Sequence, residues 1–384
     1  MVPLKLGMVG GGQGAFIGGV HRIAARIDGH WHLVAGALSS DPERATESAG
    51  ELGLARSYTD YSEMARAEAR HPDGIDAVAI VTPNHMHAGP VVAFLRAGIH
   101  VICDKPLAAT PEQAHEIAAA AGDSTAMFFQ TYNYTAYPLI RSARAMVADG
   151  QLGRIRVAQV EYAQDWLASE VSNKQADWRT DPAKSGAAGC VGDIGTHAFN
   201  LLCHVSGLKC TELAADLSTF VPERRLDDNG HVMLRFDGGA KGMLWSSQVA
   251  VGRENALSLR LYGDKGSLEW NQENPNLLRF TPFGAAPRLL TRGGPDQPEE
   301  GSHHLRTPPG HPEGYLEGFA TLYTQAATRI RDARRGVTSS RNHIPNLQDG
   351  LAGMDFITAC LDSNARNAAW VKLVPSDGSS MSDP

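Results

Sequence analysis

Three short stretches of this chain carry residues whose types and spacing can do chemistry. Gly10-Gly11-Gly12-Gln13-Gly14-Ala15 fits a G-x-G-x-x-A pattern, with Gly10, Gly12 and Ala15 at its three key places. Glycines there let the chain turn sharply and approach a pyrophosphate, and a small third residue lets a helix pack on a strand. The bland alternative is a structural turn. Cys103-Asp104-Lys105-Pro106 places a cation behind an apolar run and ahead of a proline. A lysine at a strand end can donate to a substrate oxygen and stabilise negative charge on it, although a lysine beside an aspartate also describes a solvated pair. Asp193 and His197 stand four apart, which puts both on one helix face. Histidine is suited to moving a hydroxyl proton near neutral pH, and a neighbouring carboxylate would orient it. The same spacing fits a capped helix with a surface ion pair.

The surrounding elements explain how these stretches would be held. Leu4–Val9, Trp31–Leu38, Ile75–Val81 and Ile99–Cys103 are short apolar runs. They alternate with helical patterns at Val20–Ile27, Pro42–Leu52, Ala88–Ala97 and Thr110–Ala121. Buried strands alternating with helices predict an α/β doubly wound parallel sheet, a Rossmann arrangement whose C-terminal strand ends face the ligand. The glycine loop then lies at the first strand-to-helix junction, where a helix N-terminus favours phosphate. The second strand ends in Ser39-Ser40, so the acid that holds an NAD ribose is missing or displaced to Asp41. With Arg44 one turn on, these hydroxyls suit the 2′-phosphate of NADP, or Ser39-Ser40-Asp41 is only a helix cap. NAD and NADP both stay open.

The pattern changes near residue 124. After a helix at Pro138–Ala148, strand-like runs follow one another: Ile155–Tyr162, Cys210–Phe220, His231–Phe236, Lys241–Val249, Leu257–Tyr262 and Ser267–Trp270. This predicts an α+β domain with a largely antiparallel sheet over 125–373, a polar flexible tail over 374–384, and a long surface loop over 283–312. Late helices are expected at Glu313–Arg334 and Gln348–Leu361.

Composition narrows the partners. A chain of 384 residues exceeds one core, so two domains are expected. A net charge of -7 without a basic run argues against nucleic acid. The five cysteines form no C-x-x-C pair and read as reduced thiols of a cytoplasmic protein. No apolar run is long enough for a membrane helix, and an N-terminus that goes straight into a strand pattern argues against secretion by the common route. No tight ligand cluster points to a metal.

Taken in order and spacing, the glycine loop, Thr82-Pro83-Asn84-His85-Met86-His87, Ala97-Gly98-Ile99-His100-Val101, Asp104-Lys105-Pro106 and Gly192-Asp193-Ile194-Gly195-Thr196-His197 resemble the Gfo/Idh/MocA oxidoreductases over roughly residues 4 to 370. The resemblance implies a Rossmann domain and a C-terminal α/β domain whose open sheet forms subunit contacts in a homodimer or homotetramer. It implies Lys105 as the polarising lysine, Asp193 as its helper and His197 as acid/base. It places Gly10, Gly12, Gln13, Gly14, Ala15, Ser39, Ser40, Arg44, Thr82, Pro83, Asn84, His87, Asp104 and Lys105 around the cofactor. Asn133, Tyr134, Asp165, Trp166, Trp178 and Arg179 become candidates for substrate contact, with packing and surface charge as the alternative. The usual family motif is Glu-Lys-Pro, so Asp104 departs from it. The serine-ended second strand is closer to the family's NADP-binding arrangement than to its acidic NAD arrangement.

The resulting expectation is NAD(P)-dependent hydride transfer to or from a sugar, inositol or related polyol. Two other readings remain. One is a redox-neutral glycosidase or lyase that oxidises a sugar transiently. The other is a nucleotide-binding regulator without turnover, which would have no need of a proton-transfer group.

Overall fold

Ala77–Val81 is apolar and buried at all five positions, which a strand achieves inside a sheet covered on both faces. In the computed structural model, which describes residues 2–337 and 343–374, this strand is β4 of a six-stranded sheet. The others are β1 (Leu4–Gly10), β2 (Trp31–Ala37), β3 (Arg56–Ser57), β5 (His100–Cys103) and β6 (Phe128–Gln130). Their order is β3-β2-β1-β4-β5-β6, and every pairing is parallel. The strand order reverses between β1 and β4, the position where open α/β sheets bind ligands. Helices α1 (Phe16–Ile27), α2 (Pro42–Glu51), α3 (Tyr61–Arg70), α4 (Ala88–Arg96) and α5 (Pro111–Gly122) connect the strands. Helix α3, capped by Asp60 and burying Met64 and Ala65, is not among the helices expected from sequence. A buried Glu68 interrupts its inner face, where it accepts from Arg56 Nε at 2.6 Å and Tyr58 Oη at 2.9 Å.

The first compact unit is Met1–Asn133 together with Leu316–Leu351. From sequence a single cut falls near residue 124. That cut would detach β6, which pairs with β5 and belongs to the parallel sheet. The returning segment carries most of α11 (Tyr315–Arg334). Its Tyr323 donor–acceptor hydroxyl lies 2.8 Å from His21 Nδ1, and its main-chain oxygen accepts from Trp31 Nε1 at 2.8 Å. Both His21 and Tyr323 are fully enclosed.

The second unit is Tyr134–Tyr315 with Ala352–Pro384. Its nine strands are β7 (Ile155–Ala163), β8 (Cys210–Ser218), β9 (Asn229–Phe236), β10 (Lys241–Ser247), β11 (Ala256–Gly263), β12 (Gly266–Asn271), β13 (Leu277–Pro282), β14 (Arg288–Thr291) and β15 (Val371–Lys372). Eight adjacent pairings join them in the order β14-β13-β12-β11-β7-β10-β9-β8-β15. All are antiparallel except β7 with β10. Helices α6 (Pro138–Ala148), α7 (Lys174–Arg179), α8 (Pro182–Ser185), α9 (Thr196–Ser206), α10 (Glu299–Ser302) and α12 (Leu347–Ala365) complete the set. Phe199 of α9 stacks on Phe356 of α12 at 4.4 Å.

Strand β14 and helix α10 lie inside the stretch expected to be loop. A buried Arg292 orders the rest of it, donating to Glu313 Oε1 at 2.9 Å and to the main-chain oxygens of Thr307 and Pro308. The expected tail beyond Val374 lies outside the described residues. Among the described residues no helix is long and apolar enough to cross a membrane.

Tyr323→Phe would leave the enclosed His21 ring without its Nδ1 partner. It should lower stability by about 1–3 kcal/mol, read as a lower urea midpoint at unchanged slope. An unchanged midpoint would show that this contact contributes nothing to the first unit.

Candidate active site

The glycine loop is shaped by main-chain geometry. Gly10, Gly11 and Gly14 take φ of 78°, 73° and 70°, a region that side-chain-bearing residues rarely enter. The tight helix contact comes from Gly18: a Cβ there would stand 2.5 Å from the Cα of Gly11. Ala15 instead is the N-cap of α1, half-buried. No side chain caps that helix, and its first turn holds no acid, so its leading N–H groups and dipole suit an anion. A concavity of about 510 Å³ opens beside Gly12, Gly14, Ala15 and Ser48. These features fit a dinucleotide pyrophosphate. Gln13 lines the same concavity, its main-chain amide donating to Ser48 Oγ at 3.3 Å and its side chain to Glu51 at 2.6 Å.

At the end of β2 the cap arrangement is present. Asp41 Oδ1 accepts from Arg44 N at 2.9 Å, and Ser39 Oγ accepts from Asp41 N at 3.1 Å. Ser40, Asp41 and Arg44 are exposed.

Thr82, Pro83 and Lys105 follow β4 and β5 at the same sheet edge as Gly10, whose Cβ would stand 2.8 Å from Thr82 Cγ2. Thr82 Oγ1 donates to Met86 O at 3.1 Å, closing the short turn that starts at the buried Asn84. Lys105 is half-buried. Asp104, expected near the cofactor, is half-buried and engages the protein through one carboxylate oxygen. Its Oδ1 accepts from the Lys105 amide at 3.0 Å and from Thr131 Oγ1 at 2.7 Å. His87, also expected near the cofactor, is 1% exposed, and both ring nitrogens face main-chain oxygens. Asn133, 1% exposed, begins a 3-10 turn just after β6.

In the second unit, Asp193 and His197 lie on consecutive helical segments. Val191–Gly195 is a π-helical turn that runs directly into α9, a geometry frequent at functional sites. His197 is 7% exposed, and its ring packs edge-on against Tyr134 at 4.9 Å and Tyr162 at 6.1 Å. The two phenols share a 2.6 Å hydrogen bond, and Tyr162 also donates to Asn255 Oδ1 at 2.7 Å. Burial pushes both phenol pKa values up, and the Asp193 charge adds to the rise. Both therefore stay protonated at neutral pH.

Asp193 Oδ2 accepts from Arg179 Nε at 3.1 Å and Gln248 Nε2 at 2.9 Å. The Arg179 guanidinium lies 4.2 Å from the Trp178 ring centroid and 5.7 Å from that of Trp166. Trp166, Trp178 and Arg179 thus gather beside Asp193, as one group. Asp165 does not join them: its Oδ2 accepts from Gly252 N at 2.9 Å and pins a neighbouring loop.

Gln248, Asn255 and Asp227 were not marked by sequence. Asp227 is 9% exposed and accepts from Gly189 N at 2.6 Å, Val191 N at 2.8 Å and Cys190 Sγ at 3.2 Å. It therefore holds the start of the segment that carries Asp193 and His197. Burial raises its pKa, while the two amides oppose the rise. Leu226-Asp227-Asp228-Asn229 reads as an ordinary polar turn, and nothing local separates Asp227 from its neighbour. Asp227→Ala strands those donors and should cost about 1–3 kcal/mol per orphaned group, with turnover falling at temperatures where the protein remains folded. Wild-type melting and turnover in that variant would remove Asp227 from this role.

Comparison with known proteins follows the same division. Residues 4–132 match the oxidoreductase family with an NAD-binding Rossmann fold, and residues 140–269 match the Gfo/Idh/MocA C-terminal domain. An oxidoreductase from Sinorhizobium meliloti is 52% identical, with a TM-score of 0.90, over 97% of this chain and 100% of that one. An inositol dehydrogenase homologue from Azotobacter vinelandii, solved with NAD+, is 36% identical, with a TM-score of 0.93, over 96% of this chain and 97% of that one. Levoglucosan dehydrogenase of Pseudarthrobacter phenanthrenivorans is 30% identical over 97% of this chain and 99% of its own length. The chain belongs to the Gfo/Idh/MocA family of oxidoreductases, with an NAD-binding Rossmann region followed by that family's C-terminal domain.

Proposed function

We propose that this chain is an NAD-dependent dehydrogenase acting on a ring hydroxyl of a cyclic polyol or sugar. The observation that carries the reading is His197, enclosed by Tyr134 and Tyr162 and set one helical turn beyond Asp193. A bound nicotinamide supplies the hydride acceptor or donor. Lys105 donates to the substrate oxygen and stabilises the charge that grows on it. His197 takes the hydroxyl proton as general base, or returns it in the reverse direction. Asp193, held by Arg179 and Gln248, supplies negative charge that favours the protonated imidazole. The two tyrosines present neutral hydroxyls and flat ring faces, which suit a hydroxylated ring.

The choice of NAD over NADP rests on the end of β2. Ser39 Oγ is engaged with the Asp41 amide, and the exposed Asp41 carboxylate would repel a 2′-phosphate while accepting from a ribose hydroxyl. The relative solved with NAD+ supports the same choice. Self-association as a dimer or tetramer is also proposed. Val157, Met233 and Met243 are exposed on neighbouring strands of the nine-stranded sheet, and an apolar sheet face of this kind favours a partner copy.

The experiment is a panel of cyclic polyols, aldoses and glycosides with NAD and with NADP, following reduced cofactor and products together. NADH formation with a polyol or sugar, at least about tenfold better in kcat/KM than with NADP (~1.4 kcal/mol), is expected. Glycoside cleavage without net NADH would replace this reading with a redox-neutral one, and preference for NADP would overturn the cofactor choice. His197→Ala should lower kcat by about 10²-fold or more while NADH affinity is kept. Full activity in that variant would remove His197 from the chemistry.

A further inference from the structure

His87 looks from sequence like a residue that faces the nicotinamide or the substrate. Its surroundings give it a different task. The ring is 1% exposed. Its Nδ1 lies 2.9 Å from the main-chain oxygen of Pro106, and its Nε2 lies 2.9 Å from that of Thr82. Both polar atoms of the side chain are thus directed at main chain. A neutral imidazole carries one N–H and a protonated one carries two, so in either state at least one carbonyl receives a proton.

Those two carbonyls belong to neighbouring loops. Thr82 follows β4, Pro106 follows β5, and the two strands are paired in parallel. His87 itself follows β4, so its Nδ1 contact to Pro106 O is the one that reaches the β5 loop, at the edge of the sheet that carries Lys105. It also completes a set of contacts around that residue. Ahead of Lys105, Gln130 Nε2 donates to Asp104 O at 2.7 Å and to Cys103 O at 3.3 Å. At Lys105 itself the amide donates to Asp104 Oδ1, which Thr131 Oγ1 also contacts. Behind Lys105, the contact to Pro106 O is the one made by His87. A lysine has a flexible four-carbon stem, so its ammonium is placed only as well as its main chain is fixed.

We infer that His87 is a positioning residue: by bridging Thr82 and Pro106 it fixes the turn that presents Lys105, and it affects turnover through Lys105 without touching cofactor or substrate. The inference rests on the reading of Lys105 as the group that polarises the substrate oxygen. A displacement of about 1 Å at such a group can cost about 10²-fold in rate. Loss of a contact to bound cofactor would instead weaken cofactor affinity.

The test is a double-mutant cycle on the full chain, with the polyol that gives turnover. His87→Ala and His87→Gln are each made alone and together with Lys105→Met. Steady-state rates, NADH affinity by fluorescence titration and melting temperature are measured for all. His87→Ala alone should lower kcat by about 10–100-fold and leave the NADH Kd within about twofold of wild type. His87→Gln, which keeps a donor, should recover part of the loss. In the Lys105→Met background, His87→Ala should change the residual rate by less than about twofold. If His87→Ala does not fold, His87→Gln carries the same comparison. The inference is overturned by full turnover in the His87 variants, by a loss of NADH affinity that accounts for the loss of rate, or by an undiminished effect in the Lys105→Met background. Should Lys105→Met itself keep wild-type turnover, the reading of Lys105 fails and the inference falls with it. An inactive Lys105→Met beside fully active His87 variants overturns the inference alone.

Discussion

The Asp227 carboxylate, out of solvent, accepts from two amides and a thiol at the start of the segment that carries Asp193 and His197. A helix beginning inside a protein leaves N–H groups that need partners, and here a distant acid provides them. The fit is close: a Cβ at Gly189 would stand 2.0 Å from the Asp227 main-chain oxygen. Once that end is fixed, the π-turn and α9 follow in register. The His197 ring is then set against Tyr134 and Tyr162, and Asp193 against Arg179 and Gln248. The first unit meets the same constraint with different residues, since Asp104, Gln130 and His87 pair the main-chain groups around Lys105. In both units, polar side chains pair main-chain groups next to the residues proposed to do the chemistry. This agrees with the general cost of leaving buried main-chain groups unpaired.

Much of this was legible in sequence, because it is local. The parallel sheet follows from apolar runs alternating with helical patterns. Asp41 and Pro42 mark the start of α2 and occupy the cap and first helical positions. Gly263-Asp264-Lys265-Gly266, a turn-forming run between two strand-like runs, joins β11 to β12. What sequence left out depends on residues far apart in the chain. The return of α11 to the first unit rests on Tyr323 meeting His21 and Trp31 across about three hundred positions, and periodicity says only that a helix exists. Helix α3 carries an Asp60 cap and inward Met64 and Ala65, while its buried, paired Glu68 looks in sequence like a surface acid.

The candidate site divides along the same line. Lys105, Asp193 and His197 stand out by type and spacing, and Trp166, Trp178 and Arg179 do gather beside Asp193. Several other residues have polar atoms that turn out to face the protein. Asp104, Asp165 and His87 all carry suitable groups, and each also holds a turn or loop. Sequence shows that a polar side chain is present, and it does not show which way its atoms point. The tight helix contact falls at Gly18, one turn inside α1 and outside the motif, rather than at Ala15.

The proposed function is transfer of a hydride between a ring carbon and a dinucleotide. The most direct measurement is isotopic. A polyol or sugar substrate deuterated at the reacting carbon is incubated with the enzyme and NAD, and the reduced cofactor is isolated and analysed by mass spectrometry. The account predicts one deuterium on the nicotinamide ring and a ketone at the substrate carbon. Unlabelled reduced cofactor, or deuterium released to water, would contradict it.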